Sequence, residues 1–316
     1  MIESGSNTPG VSADTFGLPD GTAIRYERPA RALAPYFTSY VVLDSDPAMW
    51  GGKGEWMLPS WAQIWIVLTD GPITVRIGNR TYAPLPRASL YGVTSRAMPV
   101  IANGGATVGI DISPLGWARL FRQPADLFGD RVVPLETMLP RAWVDTLVER
   151  LRASNLGSDV QGILDEFLTG ILPPENPDEP MVAQIMALLA DREIADPAAM
   201  AKLLGIDQAR LRRMTKRYFG FPPKVLKMRS RFLQAFVPML LRGRDNDFGA
   251  VPPRYHDVSH FIRDGRRYLT MTPRRFAIMD TPYLDAALRA RGAVFGAKTP
   301  TLEAPAAPAV TSVAAG

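Results

Sequence analysis

The spacing of apolar positions along this chain changes period part-way. From Tyr36 to about Ile112 the period is two. The stretch "WAQIWIVL" puts Trp61, Gln63, Trp65 and Val67 on one face and Ile64, Ile66 and Leu68 on the other. Both faces are largely apolar, which predicts a strand covered on both sides. Asp70-Gly71 and Gly78-Asn79 are turn signals on either side of "ITVRI", and "RTY" follows, so a hairpin is expected there. "VGIDI" at 108–112 is another short strand. The region predicts a small antiparallel β-barrel or sandwich.

A helical period takes over near Leu115, where Trp117, Leu120 and Phe121 fall at i, i+3 and i+4. It continues from Pro140 to Leu172 through Trp143, Leu147, Leu151, Ile163, Leu164, Phe167, Leu168 and Ile171. This stripe either packs on the barrel or forms a dimer interface. "PPENPDEP", 173–180, suits an extended linker. Residues 1–22 are expected to be a disordered lead, and 296–316, rich in Ala, Pro, Thr and Val, a disordered tail. Two bodies remain, 23–172 and 181–295, so the expected fold class is α+β multidomain: a β-rich N-terminal half with flanking helices and an all-α C-terminal half.

Charge separates the halves further. Residues 200–276 hold 18 Lys and Arg against 5 Asp and Glu, a net +13, while the rest of the chain holds 18 against 26, a net −8. A basic module on an acidic body suggests a polyanion partner. There is no cysteine, no apolar run long enough for a bilayer and no basic, apolar secretory start. A cytoplasmic protein with no membrane partner is expected.

Within the basic module a unit repeats at an offset of 50. Asp207 matches Asp257, Leu211 matches Phe261, Arg213 matches Arg263, Lys216-Arg217 matches Arg266-Arg267, Tyr218 matches Tyr268, and Pro223 matches Pro273. Six agreements in charge, core and punctuation argue for a duplication. Each aspartate is placed as an N-cap, the apolar residue four positions on faces the core, and the arginines project away. Upstream of the first unit, Asp196 caps a helix with Pro197 at N1 and Met200, Leu203 and Leu204 as its buried stripe; Gly205 then supplies a turn. Helix, glycine turn, basic helix is the helix-turn-helix layout, whose second helix enters the DNA major groove.

These residues resemble the AraC/XylS family of bacterial transcription regulators. "MAKLLGIDQARLRRMTKRYFGFPPKVLKMRSRFLQA" looks like the family's first helix-turn-helix and connecting helix, and "YHDVSHFIRDGRRYLTMTPRRF" like its second. "LPSW", "SPLGWARLF" and the strand pattern resemble the cupin-like sensor region of some members. The resemblance implies recognition helices at 207–219 and 257–268 in successive major grooves of double-stranded DNA, about 34 Å apart. It places Ala209, Arg212 and Arg213 at base edges in the first helix, where each arginine can fork onto guanine. Gln208, Arg210, Lys216 and Arg217 are better placed for phosphates or the groove edge. In the second helix the corresponding residues are Val258, Ser259, His260, Ile262, Arg263, Arg266 and Arg267. A homodimer, a small-molecule effector and RNA polymerase are further partners that the family implies. The chain departs from the family pattern at Thr215 and Gly265, where an aromatic core residue is usual. It departs again at Pro252-Pro253, which shortens or distorts the scaffold helix of the second unit.

Trp61 and Trp65 are expected in the core, with an effector pocket walled by them as the alternative. His256 and His260 are the only histidines; their spacing suits zinc, but no third ligand pattern accompanies them, so no metal and no cofactor is expected. No nucleotide-binding or nucleophile-elbow motif is present, and the chain is not expected to be an enzyme. The competing expectation is a metal-free β-barrel ligand-binding protein or enzyme with a degenerate DNA-binding module.

Overall fold

The computed structural model describes residues 1–191, 196–242, 248, 250 and 252–302. Its strands are β1 Gly5–Ser6, β2 Thr22–Glu27, β3 Phe37–Ser45, β4 Gly54–Met57, β5 Ala62–Val67, β6 Thr74–Ile77, β7 Arg80–Tyr82, β8 Ala88–Tyr91, β9 Met98–Ile101, β10 Thr107–Ile112 and β11 Val132–Pro134. Its helices are α1 Pro47–Trp50, α2 Pro114–Leu120, α3 Arg141–Ala153, α4 Asp159–Ile171, α5 Glu179–Ala190 and α6 Pro197–Leu203, followed by α7 Gln208–Phe219, α8 Pro223–Leu241, α9 Val258–Tyr268, α10 Pro273–Ala277 and α11 Pro282–Phe295. The fold is α+β, with a β-rich N-terminal half and a helical C-terminal half.

The strands form a seven-stranded sheet, β1-β2-β3-β10-β5-β8-β11, facing a four-stranded sheet, β4-β9-β6-β7. Every pairing is antiparallel except β1 with β2. The hairpin at Gly78-Asn79 closes β6 on β7 with Ile77 opposite Arg80, and Gly78 supplies the positive φ of 58° that such a turn requires.

Period-two alternation sorts the large sheet, except that a register shift opposite Asp111 and Ile112 lets Phe37 and Tyr40 face the same side. Phe37, Tyr40, Val42, Ile64, Ile66, Val108, Ile110 and Ile112 point to one side and bury in a cluster shared with α2, α3, α4 and α5. Val41, Leu43, Gln63, Trp65, Val67 and Asp111 point to the other side, between the sheets. Both sides are covered, which is why β5 reads as apolar on both faces. The stripes of α3 and α4 (Val144, Leu147, Val148, Leu151, Val160, Leu164, Phe167 and Leu168) are used within this cluster. Trp143 lies off the stripe and is exposed.

Four boundaries differ from the sequence expectation. The lead 1–22 is packed: Gly5–Ser6 pair with β2, and Phe16 is fully buried among Ile24, Tyr26 and Val41. Its polar residues serve as caps and edge hydrogen bonds, such as Asn7 Nδ2 to Arg28 O at 2.9 Å, so its composition looks like a disordered lead. The linker 173–180 is fastened down: Asn176 Nδ2 donates to Ala118 O at 2.7 Å, and Arg119 Nε to Glu179 Oε1 at 2.5 Å. Glu179 itself opens α5. At the other end, Thr299, Pro300 and Thr301 are buried; the expected tail beyond 302 lies outside the described residues. Finally, α11 belongs to both halves. Ala286, Ala290 and Val294 bury against the barrel with Phe16 and Tyr26, while Leu284 and Leu288 bury with residues of α8, α9 and α10.

Candidate nucleic-acid interface and effector cavity

Each basic helix is built as the repeat predicts. Asp207 accepts from Arg210 N at 2.6 Å, and Asp257 from His260 N at 2.7 Å. These bonds satisfy free N–H groups at the helix starts. Leu211 and Phe261 are buried, as are Tyr218 and Tyr268. Pro223 and Pro273 open the following helices at N1. The arginine before each tyrosine lies over its ring, Arg217 at 5.5 Å and Arg267 at 5.7 Å. In the first scaffold helix α6, Asp196 accepts from Ala198 N and Ala199 N, and Gly205 makes the turn at φ 64°. Leu203 is a correction: it is 64% exposed, and Met200 and Ala201 form the buried stripe.

On α7 the face opposite the core presents Gln208, Ala209, Arg210, Arg212, Arg213 and Arg217 to solvent. Lys216 is half-buried, its Nζ 2.8 Å from Asp126 of the N-terminal half. On α9, Ser259, Arg263, Arg266 and Arg267 are exposed, while Val258, His260 and Ile262 are half-buried. His260 is engaged inside the protein: its Nε2 lies 3.1 Å from Arg231 Nη2, and its ring meets Tyr255 edge-on at 5.2 Å. Arg231 also donates to Asp264 Oδ2 at 2.9 Å, as does the hydroxyl of Tyr255. Burial and the neighbouring Asp264 carboxylate push the Tyr255 phenol up. Asp264 is thus a buried carboxylate with two donors, a feature whose repeat counterpart is the apolar Met214. Helix α8, 19 residues long, is about 28 Å from end to end at about 1.5 Å per residue, and α9 packs against its middle through Phe232 and Phe261. Before α9, Pro252 to Asp257 are non-helical, as the proline pair requires; the rest of that connection lies mostly outside the described residues.

Between the two sheets lies a cavity of about 230 Å³. Its walls are mainly apolar: Tyr26, Val41, Trp56, Trp65, Val67 and Tyr91 among them, with Tyr283, Leu284, Ala287 and Leu288 of α11. Trp65 can lie across the sheet because its partner in β10 is Gly109; a Cβ there would collide with the indole and with Val41. Trp61 lies in the core, the first of the two expectations for it, and does not line this cavity. It precedes β5, so it escapes the strand's alternation and packs in the core instead, 5.9 Å from Phe219 of α7.

The polar lining has few free acceptors. Asp111 takes bonds from Ser39 and from Gln63 Nε2. Glu55 Oε1 accepts from Tyr283 N at 3.0 Å and Oε2 from Leu284 N at 3.4 Å, so a barrel carboxylate caps α11. Burial pushes the Glu55 carboxyl up to about 7, against the pull of those N–H groups. Lys53, Arg291 and Lys298 are the cationic members of the lining. The contact of Glu55 with α11 joins segments 228 residues apart, so no local pattern in the sequence announces it.

No family model matches the chain, and no curated protein does. Among solved structures it is similar to apo ToxT from Vibrio cholerae, at 11% identity over 83% of this chain and 98% of that one, TM-score 0.41. Unsaturated-fatty-acid-bound ToxT from the same organism aligns at 9% identity over 83% and 96%, TM-score 0.41. The AraC-like transcriptional activator CuxR aligns at 11% identity over 70% and 89%, TM-score 0.28.

Proposed function

We propose that this chain is a sequence-specific, DNA-binding transcription regulator of the AraC type. It reads double-stranded DNA with α7 and α9 and senses a small molecule in the cavity between its sheets. One observation carries the reading: the arginine-rich face of α7 is open to solvent while its opposite face is buried, and α9 repeats the cap, the core positions and the exposed basic face. Helix N-termini and arginine forks are the groups that meet phosphates and guanine edges.

Arg212 and Arg213 are the base-reading residues of the first unit, with Ala209 against a thymine methyl. Gln208, Arg210, Lys216 and Arg217 hold the backbone. In the second unit Ser259 and Arg263 lead, with Val258 and Ile262 beside them and Arg266 and Arg267 on phosphates. His260, held by Arg231, contributes at most through its exposed edge. The cavity suits an apolar molecule with one anionic group, because its acids already accept protein hydrogen bonds while Lys53 and Lys298 stand in the lining. No helix among the described residues is long and apolar enough to cross a membrane.

Selection of preferred sites from random duplexes, followed by footprinting, tests the reading. Two protected major-groove segments one helical turn apart are expected. Enrichment of no sequence overturns it.

A further inference from the structure

The two DNA-reading units bury into different cores. Leu211, Met214, Tyr218 and Phe219 of the first unit join the cluster formed by α2, α5 and the outer face of the large sheet. Among them none lines the cavity. The second unit buries Phe232, Phe236, Phe261, Tyr268 and Phe276 in a separate cluster, and that cluster contains Leu58, Leu284 and Leu288. These three leucines are also walls of the cavity.

A file of rings extends the connection. Trp56, another wall residue, meets Phe276 of α10 edge-on at 5.2 Å. Phe276 meets Phe236 at 5.7 Å, Phe236 stacks on Phe232 at 5.4 Å, and Phe232 meets Phe261 of α9 at 5.6 Å. Close-packed interiors respond to volume changes as small as one methylene. A molecule entering the cavity therefore presses on side chains that hold α9, and touches none of those that hold α7. The start of α11 adds a second tie, because its first-turn N–H groups are capped by the cavity residue Glu55. At the far end of α9, Tyr268 O accepts from Ala97 N of the barrel at 2.6 Å.

We infer that the cavity is the control site of the second DNA-reading unit alone: an apolar occupant resets α9 through Trp56, Leu284 and Leu288, while α7 is a ligand-independent anchor fixed by the α2 side. The inference rests on the proposed role of α7 and α9 in DNA reading and adds which of them answers to the ligand.

Amide hydrogen exchange on the full chain tests it, with anilinonaphthalene sulfonate as the probe and its fluorescence reporting that it is seated. Saturating probe is expected to change exchange in α9 and α11 by about tenfold or more, and in α7 by less than about twofold. Ala287→Phe, which places a ring in the cavity without any ligand, is expected to give the same pattern. In Trp56→Leu the probe still seats but its effect on α9 shrinks. Equal changes in α7 and α9, no change in α9, or a cavity that accepts neither the probe nor the ring overturns the inference. Absence of any preferred duplex would instead sink the regulator reading and leave the exchange pattern intact, so the two failures are distinguishable.

Discussion

The guanidinium of Arg229 lies 4.6 Å over the ring of Trp61, and through this pair α8, the helix between the two basic helices, is locked to the β-rich half. Arg229 is 1% exposed, and its Nη1 donates to Ser60 O at 3.1 Å and Thr94 O at 2.7 Å. Burial lowers its pKa only to about 10, so the charge is kept at neutral pH. Arg229→Met removes the guanidinium from both carbonyls; Ser60 O keeps its bond from Thr94 N at 3.1 Å, while Thr94 O loses its donor. A loss of about 1–3 kcal/mol is expected for that abandoned group, measured by chemical denaturation. Stability unchanged within error would show the lock to be unimportant.

Gly265, a glycine inside a helix, has a packing cause. A Cβ at this buried position in α9 would collide with the ring of Pro273, which opens α10. Gly265→Ala should therefore destabilise by about 1–3 kcal/mol through overpacking, although alanine is the better helix former by about 1 kcal/mol. Gly162→Ala in α4, where nothing lies within 4 Å, is the control and should stabilise. Thermal melts of the two variants should move in opposite directions; the same direction for both would refute the contact argument.

The anionic neighbour of Lys216 makes a prediction about affinity without specificity. On the proposed role of Lys216, Asp126 competes with a phosphate for the ammonium it holds at 2.8 Å, so Asp126→Asn should tighten binding to every duplex alike. Lys216→Ala should weaken all duplexes alike and lower the salt slope by about one. Arg213→Ala should cost about 1–3 kcal/mol at one base pair only. Titrating the three variants against matched and single-substituted duplexes separates these outcomes.

Glu55 gives a pH dependence of known sign. Its folded-state pKa is raised to about 7, so the folded protein holds this proton more tightly than the unfolded chain does. The stability it contributes is complete below the ordinary carboxylate range and is lost as pH rises towards about 7. Denaturation midpoints should fall between about pH 5 and 7, and Glu55→Gln should flatten that part of the profile. A profile that keeps its slope in the variant would assign the effect elsewhere.

Sequence patterns made the two basic helices legible because their residues are local: caps, turns and core positions recur within a dozen positions and again 50 later. The barrel strands were legible for the same reason, with a period of two on β5 and turn signals at Gly78-Asn79. What stayed hidden depends on contacts between distant segments. Phe16 anchors a lead that looks disordered by composition, and Arg119 and Ala118 bind a linker whose prolines suggest a free spacer. Trp61 was placed with Trp65 by alternation, but the strand begins at Ala62 and the alternation does not reach it. The double allegiance of α11, and with it most of one cavity wall, has no local signature at all.

The most direct test of the central claim is equilibrium binding of the full chain to a selected duplex and to the same bases permuted, followed between about 50 and 200 mM salt. Both affinities should fall together while their ratio stays near a thousandfold or more. Affinities that coincide for the two duplexes at every salt concentration would contradict it.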